Sequence, residues 1–341
     1  MPLPDRPPSL RTVAARAGVS VRTVSNVVNG YVHVAPATRE AVQLAIAEVG
    51  YRPNLAARQL RRGRTGLLGL VLPELTSPYF AEVAALVVRE AAARGWTVLV
   101  DETGGDPDRE GALLGRRDAG LVDGLVVSPW SLSPDDIAAA AGGLPVVVLG
   151  ERSTARLDRV AIDNVAAARD ATAHLLATGR RRVAAVGLQP QLDNATAALR
   201  LTGFRQALAE HGLRPDPLLE RATPTLHRRD GAAATSALLE RVPDLDGLVC
   251  FTDELALGAL RTLADRGRRV PDDVAVIGID DVEDGRWSVP RLSTVAPDKG
   301  AIARIAVESV LGRIAGDVSE PAEVVVPHEL VVRESSGGTT A

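Results

Sequence analysis

The segment that begins at Val21 carries side chains whose chemistry suits the edges of DNA bases. Arg22 can donate two hydrogen bonds to guanine, Asn26 can form two hydrogen bonds with adenine, and Val21 can contact a thymine methyl group. Short hydrogen-bonding residues that suit phosphate oxygens lie in the same segment, namely Thr23, Ser25 and Asn29. These residues can read a DNA groove if one helix presents them together.

The surrounding pattern predicts three short helices that supply such a frame. We expect the first over Leu10–Ala17, a left-handed turn at Gly18, and a second helix over Val21–Val28 that Ser20 caps. A third helix is expected over Pro36–Val49. The spacing is that of a helix-turn-helix, whose second helix enters the major groove of DNA.

Charge is divided unevenly along the chain. The whole chain carries a formal net charge of −4, whereas residues 1–64 contain ten arginines against three acidic residues. The first 64 residues therefore carry +7 and the remainder carries −11. This division indicates that only the N-terminal part meets a polyanion such as DNA.

From Gly66 onward, apolar runs alternate with helical patterns. Runs such as GLLGLVLP, LVDGLVVSP and VAVIGID predict buried strands, and the segments between them predict helices. Strands that alternate with helices indicate parallel, doubly wound sheets. Two such series predict an α/β sensor with two lobes, like a periplasmic binding protein, behind the small all-α head. A cleft is expected at the carboxyl ends of the strands.

Loops after these strands supply candidate ligand-binding residues. Ser77, Tyr79 and Phe80 follow the first strand, and an aromatic ring at this place can stack on a sugar or a base. Asp280 follows the strand VAVIGI, so its carboxylate can accept hydrogen bonds from hydroxyl or amine groups in the cleft. A core position for Phe80 and a structural ion pair for Asp280 are the alternatives.

Other classes of protein lack their sequence signals in this chain. There is no GxGxxG turn, Walker phosphate loop or GxSxG turn, which disfavours an enzyme on a doubly wound fold. The scattered histidines and the single Cys250 have no metal-ligand spacing, so we expect neither metal nor cofactor. The absence of a signal peptide and of a long apolar run predicts a cytoplasmic protein without a membrane partner, not an exported solute-binding protein.

A short helical segment is predicted between the head and the sensor. Pro53 and Asn54 can start a helix, which LAARQL continues for fewer than two turns. A helix of this length is unstable alone in water and is expected to form only when something binds it. Its composition is equally compatible with a flexible linker.

The runs TVAARAGVSVRTVSNVVNG and TREAVQLAIAEVGYRPNLAARQLR resemble the lactose-repressor (galactose-repressor) family of bacterial regulators. The resemblance continues through SPYFAEV, DPDRE, VDGLVVSP and VPDDVAVIGIDD and covers about residues 10–335. It implies a repressor that binds double-stranded, pseudo-palindromic operator DNA as a homodimer and responds to a small-molecule effector. A corepressor-dependent repressor and an activator remain open.

The resemblance also implies roles for individual residues of the head and hinge. Val21, Arg22 and Asn26 occupy the base-reading positions, although Asn26 replaces the arginine that is usual in the family. Paired hinge helices would enter the minor groove. The residues implied there are Asn54, Ala57, the wedge Leu60, and the phosphate-binding Arg58 and Arg61.

Effector contacts in the cleft are implied in the same way. Arg200 matches a family position that binds effectors, and Thr252 replaces an asparagine that often touches the ligand. Asn194 and Thr196 lie on the same approach to the cleft. Gly150 stands where the family commonly has aspartate, so the ligand is expected to differ from the commonest sugars. A sugar or sugar derivative is expected, with a purine, nucleoside or other metabolite as the alternative.

These signals give the chain the following expected organisation. A disordered N-terminus covers 1–9, the helix-turn-helix domain 10–52, the hinge 53–65, the ligand-binding and dimerisation domain 66–335, and a disordered tail 336–341. Within the sensor, the first lobe is assigned to 66–163 and 292–323, and the second lobe to 164–291 and 324–335.

Overall fold

The computed structural model describes the chain over residues 8–28, 31–51, 64–115, 120–190 and 195–338. The chain forms two compact units, the head (Met1–Thr65) and the sensor (Gly66–Ala341). Within the described ranges, no helix is both long enough and apolar enough to cross a membrane.

Three helices form the described part of the head, and local signals set their ends. Helix α1 covers Leu10–Ala17, α2 covers Val21–Val28 and α3 covers Pro36–Val49. Gly18 ends α1 in the left-handed conformation with a φ of 66°. The Ser20 hydroxyl accepts a hydrogen bond from the Thr23 N–H group (3.1 Å) at the start of α2. The predicted helix-turn-helix is confirmed, including the bounds of its three helices.

Valine side chains fill the space between the helices of the head. Val13 of α1, Val24 of α2 and Val42 of α3 are fully buried. Val27 and Ala45 belong to the same cluster. Because Val24 and Val27 face this core, the opposite face of α2 is turned outward.

Outside residues 116–119, which are not described, the first lobe of the sensor contains six strands and four helices. The strands are β1 (Leu67–Leu72), β2 (Thr97–Glu102), β3 (Gly124–Val127), β4 (Val146–Leu149), β5 (Asp158–Ile162) and β11 (Glu323–Val326). The helices are α4 (Pro78–Ala93), α5 (Pro107–Gly115), α6 (Pro134–Ala141) and α12 (Lys299–Ala315). All strand pairs are parallel, in the order β11-β5-β4-β3-β1-β2. Every residue of β3 and β4 is buried, as expected when both faces of a parallel sheet are covered.

The second lobe repeats this plan. Its strands are β6 (Val183–Leu188), β7 (Glu220–Ala222), β8 (Gly247–Cys250), β9 (Ala275–Ile279), β10 (Ser293–Pro297) and β12 (His328–Val331). Its helices are α7 (Asn164–Ala177), α8 (Ala195–Glu210), α9 (Arg228–Arg241), α10 (Asp253–Asp265) and α11 (Glu283–Trp287). The order is β12-β10-β9-β8-β6-β7, with β12 antiparallel to β10 and the other pairs parallel. The predicted pair of doubly wound lobes is confirmed.

Helices of the second lobe approach one another so closely that glycine is needed at their contacts. A Cβ atom at Gly203 of α8 would collide with the backbone of Val165 in α7, and one at Gly231 of α9 would collide with the backbone of Leu255 in α10. These contacts therefore fix the spacing of α7 from α8 and of α9 from α10.

The predicted lobe boundaries are wrong where the chain returns from the second lobe. Strand β10, assigned to the first lobe within 292–323, pairs with β9 and β12 in the second sheet. Strand β11, which the predicted boundary cuts after residue 323, lies entirely in the first sheet beside β5. An apolar run predicts that a strand forms. The sheet that the strand joins depends on its hydrogen-bonded neighbours, which are distant in sequence.

The chain crosses between the lobes three times, each time within a single residue. Asp163 joins β5 to α7, Asp298 joins β10 to α12, and Pro327 joins β11 to β12. Asp163 and Asp298 both cap the helix that follows, accepting hydrogen bonds from Ala166 N–H (2.9 Å) and Ala301 N–H (2.8 Å). The Asp298 N–H group donates to the carbonyl of Pro327 (3.1 Å), so two of the crossings lie side by side.

The predicted disordered tail begins too early. Ser336 is 2% exposed and ends a short 3₁₀ turn, Glu334–Ser336. Its hydroxyl is 2.8 Å from Nε2 of His174 and 2.7 Å from the hydroxyl of Ser293. Small polar residues suggested a loose tail, whereas these hydroxyls are buried hydrogen-bonding groups of the second lobe.

Candidate DNA-reading surface and ligand cleft

The predicted base-reading residues lie together on the outer face of α2. Val21 is 41% exposed although it is apolar, and Arg22 is exposed beside it. Asn26 follows one turn later and is half-buried. This face lies opposite Val24 and Val27, so the head presents one apolar group, one guanidinium and one amide outward.

Of the predicted phosphate contacts, the structure describes Thr23 and Ser25. The Thr23 hydroxyl is 2.9 Å from the Ser20 hydroxyl, which places it in the cap of α2. Ser25 is half-buried on the same helix. Asn29 lies outside the described residues, as do Asn54, Ala57, Arg58, Leu60 and Arg61 of the predicted hinge. Their DNA contacts stay predictions.

A cleft of about 410 Å³ is lined by residues of both lobes of the sensor. The first lobe contributes Ser77, Tyr79 and Phe80, and the second contributes Thr196, Arg200, Thr252 and Asp280. Seven of the eight predicted ligand residues thus meet in one cavity, whereas Asn194 lies outside the described residues. Ser77, Thr252 and Asp280 lie just beyond the carboxyl ends of strands, as the doubly wound pattern predicts. The other four lie in the first two turns of α4 and α8.

Arg200 lies at the centre of the second wall, which is the side of the cleft formed by residues of the second lobe. It is 4% exposed, and its Nε donates to the side-chain oxygen of Asn164 (2.7 Å). One terminal nitrogen donates to the carbonyl of Phe251, and the other is 3.8 Å from Oδ1 of Asp280. The guanidinium therefore ties α7 and α8 to the ends of β8 and β9, and it holds the carboxylate of Asp280 at the cleft.

Two carboxyl groups lie near each other behind this wall. Asp280 is 6% exposed, and burial raises its pKa, although the charges of Arg200 and Lys299 oppose this effect. Asp253 is completely buried, and burial together with the charge of Asp280 raises its pKa as well. Its oxygens accept hydrogen bonds from the Thr294 hydroxyl (2.7 Å) and the Val282 N–H group (2.9 Å).

The backbone at Asp280 is unusual. Its φ of 125° lies in a region that residues with a Cβ rarely adopt. Such conformations persist only where the surrounding structure enforces them, and they cluster at functional sites. The Asp280 N–H group donates to the carbonyl of Val295 (2.9 Å), which fixes this residue at the end of β9.

Aromatic rings dominate the first wall, which is the side of the cleft formed by residues of the first lobe. The rings of Tyr79 and Phe80 meet edge to face with centroids 5.2 Å apart, and Phe80 meets Trp130 in the same manner at 6.2 Å. Burial raises the pKa of the Tyr79 phenol, as do the charges of Asp280 and Glu151. Tyr79 is therefore a neutral hydroxyl that can donate a hydrogen bond.

Contacts between the lobes close part of the cleft. Nε2 of His227 in the second lobe lies 3.2 Å from Oε1 of Glu74 in the first, and both residues line the cleft. Glu82 of α4 accepts from the Glu283 N–H group (3.1 Å). Lys299 pairs with Glu82 inside the first lobe and donates to the carbonyl of Asp281 (3.1 Å) in the second. A change in the angle between the lobes must break or replace these contacts.

Several lining residues were not among the predicted ligand contacts. These are Glu74, Trp130, Glu151, Arg152, Thr225 and His227. Trp130 follows β3 just as Ser77 follows β1, so the rule that identified Ser77 also applies to Trp130. His227 and Glu74 meet across the cleft, and no spacing in the sequence indicates this pair.

Comparison with known proteins identifies the family. The model of bacterial regulatory proteins of the lacI family matches residues 9–54, and that of the periplasmic binding protein-like domain matches residues 172–336. The HTH-type transcriptional regulator CelR of Thermobifida fusca is 37% identical over 345 residues, which cover 97% of this chain and 98% of CelR. The chain belongs to the lacI family of bacterial regulatory proteins.

Solved structures of lacI-family members agree with this assignment. A CelR–cellobiose complex is 33% identical, with a TM-score of 0.73 over 96% of this chain and 99% of that one. The lac repressor dimer bound to operator and the anti-inducer ONPF is 28% identical, with a TM-score of 0.85 over 97% of this chain and 99% of that one. The predicted family and fold class are confirmed, and this lacI-family chain is a DNA-binding transcriptional regulator.

Proposed function

We propose that the chain is a homodimeric repressor whose affinity for a pseudo-palindromic operator is switched by a small sugar bound in the cleft. The observation that carries this proposal is that seven predicted effector residues meet in one cavity between two lobes. A base-reading helix in the same chain supplies the output. Its place of action is the cytoplasm, because that is where bacterial operator DNA lies.

Charge and shape of the cleft favour an uncharged ligand with several hydroxyl groups. Four carboxylates line it, from Glu74, Glu151, Glu254 and Asp280, and they outnumber the two guanidinium groups of Arg152 and Arg200, so the cleft disfavours an anion. The guanidinium of Arg200 already binds protein groups, so its charge is largely matched. Carboxylates accept hydrogen bonds from hydroxyls, and the aromatic wall suits the apolar face of a sugar ring. Cellobiose, the ligand in the CelR complex, is therefore the first probe.

Exposed apolar side chains support the proposed dimer. Leu99 and Val100 lie on β2 at the edge of the first sheet and are partly exposed. In the second lobe, Trp287 is 78% exposed and Val289 is 92% exposed. Large apolar groups in water commonly mark a surface that another protein covers. A second copy of the chain is the proposed occupant, as in the lac repressor dimer.

The coupling follows from differential binding. A ligand that contacts both walls favours one angle between the lobes over another. In a dimer this angle sets the separation of the two heads, and the predicted hinge segments over 53–65 form only when that separation fits one operator. Operator binding must then change effector affinity by the same factor as the effector changes operator affinity.

The proposed function is tested with an operator selected from a random-sequence library by the full chain. Fluorescence anisotropy would measure operator affinity with and without cellobiose, and light scattering would measure the mass of the free protein. Asp280→Asn should abolish the response to cellobiose and preserve operator binding, because the head is a separate unit. Asp265→Asn, exposed on α10 outside the cleft lining, is the matched control and should respond normally.

The possible results separate the parts of the proposal. A monomer without preference for any DNA sequence would overturn the repressor. A sequence-specific dimer that ignores cellobiose would overturn the proposed sugar switch and leave operator binding intact. A normal response in Asp280→Asn would place the effector elsewhere.

A further inference from the structure

The loop between β3 and α6 carries a tryptophan into the cleft. Trp130 lies on this loop beside Phe80, with an interplanar angle of 64° between the two rings. Trp130 is only half-buried, so part of its side chain is available to contact a ligand in the cleft.

A buried carboxylate holds this loop. Glu110 of α5 is 2% exposed, and its oxygens accept hydrogen bonds from three consecutive backbone N–H groups. The donors are Trp130 (2.9 Å), Ser131 (3.2 Å) and Leu132 (2.9 Å). Burial of a carboxylate is costly unless it is hydrogen-bonded in this way, and bonds to a charged acceptor are stronger than neutral ones. Glu110 thus fixes the backbone from which the indole projects.

A glycine allows the ring to rest against the neighbouring loop. Gly105 has a φ of +71°, and a Cβ atom there would lie only 2.8 Å from Cε3 of Trp130. The Ser131 hydroxyl donates to the carbonyl of Gly105 (2.5 Å). Backbone on one side and Phe80 on another therefore restrict the ring without covering its cleft side.

We propose that Trp130 is a specificity-determining platform on which the effector stacks, and that Glu110 is its positioning residue. This inference rests on the proposed effector-binding function of the cleft and assigns one wall of it to a ligand with a flat apolar face. The glucose rings of cellobiose have such faces because their hydroxyls are equatorial and their C–H bonds axial. The negative face of an indole attracts C–H groups of this kind.

The first experiment measures cellobiose binding to the full chain by calorimetry. Trp130→Ala should weaken binding about tenfold or more, whereas Trp130→Phe keeps a ring and should retain most of the affinity. Glu110→Gln keeps the size of the side chain but turns an N–H₂ group towards backbone donors, and it should weaken binding about fivefold. Asp108→Asn removes the same charge from an exposed position of α5 and should bind as the wild type does.

A second measurement needs no ligand. Amide hydrogen exchange at residues 130–132 should be faster in Glu110→Gln than in the wild type, with exchange in β3 unchanged. Exchange at the wild-type rate would overturn the positioning role, and so would faster exchange with unchanged cellobiose affinity. Equal affinity of wild type and Trp130→Ala would overturn the platform. No binding of cellobiose at millimolar concentration would also overturn it, whereas operator binding by the same preparation would leave the regulatory function standing.

Discussion

The proposed base-reading face of α2 and the second wall of the cleft are built in opposite ways. Val21, Arg22 and Asn26 belong to one helix of eight residues and project away from its core. Arg200 and Asp280 depend on each other and on groups from two further segments. A substitution on α2 should therefore act locally, whereas one in the cleft wall should disturb every segment that shares its hydrogen bonds.

Arg200→Ala should have the largest effect on stability and would sharpen this contrast. It leaves Asp280 without its guanidinium and removes the bonds to Asn164 and Phe251, so the free energy of unfolding should fall by about 3 kcal/mol. Urea denaturation measures the loss. Arg261→Ala, which breaks the exposed pair between Arg261 and Asp265 on α10, should cost about 1 kcal/mol or less. Equal losses would contradict the central role of Arg200.

Arg22→Ala should change DNA reading without changing stability. Loss of a bidentate contact should reduce discrimination at one base position in each half-site by about 2 kcal/mol. Binding to an operator library measures this preference, and urea denaturation measures stability. Arg11→Ala, exposed on α1, should leave the preference unchanged. An unaltered preference in Arg22→Ala would remove its base-reading role.

Ser20→Ala tests whether a substitution in the head acts only on the head. Removal of the hydroxyl that accepts from Thr23 N–H should destabilise the head by about 1 kcal/mol. Thermal unfolding followed by circular dichroism measures this effect, and cellobiose affinity of the sensor should be unchanged. A change in cellobiose affinity would show that the cap acts beyond its own helix.

Asp253→Asn tests the buried carboxyl groups through pH. Because the pKa of Asp253 is raised, the folded chain binds this proton more tightly than the unfolded chain does. The free energy of unfolding should therefore fall as the pH rises from about 4 towards the raised pKa. Asp253→Asn, measured by urea denaturation across this range, should show a shallower fall than the wild type or Asp265→Asn. Identical slopes would contradict the effect of burial.

Local signals made the head predictable from sequence. Gly18, Ser20 and the valine spacing act within a few residues, so helix ends and the outward face of α2 could be predicted. Alternating strands and helices likewise predicted two doubly wound lobes. Strand β10 was assigned to the wrong lobe because its partners, β9 and β12, are chosen by hydrogen bonds between distant segments.

The cleft was predictable in part for the same reason. Ser77 and Asp280 could be found because they follow strands, and Trp130 follows the same rule. The role of Glu110 could not be predicted, because its hydrogen-bond donors are backbone N–H groups some twenty residues away. Every residue except proline has such a group, so the sequence gives no sign of this contact. Ser336 was assigned to a disordered tail because a serine in a short polar segment gives no indication in the sequence that its hydroxyl is buried.

The three single-residue crossings determine how the lobes can move. Asp163 and Asp298 are each hydrogen-bonded to the first turn of a helix, and Asp298 is hydrogen-bonded to Pro327. The connection between the lobes therefore has little conformational freedom. Links of one residue each let the lobes rotate about them but leave little length for one lobe to slide along the other. In the proposed switch, effectors of different size would then share one axis of rotation and differ in the angle at which they stop it.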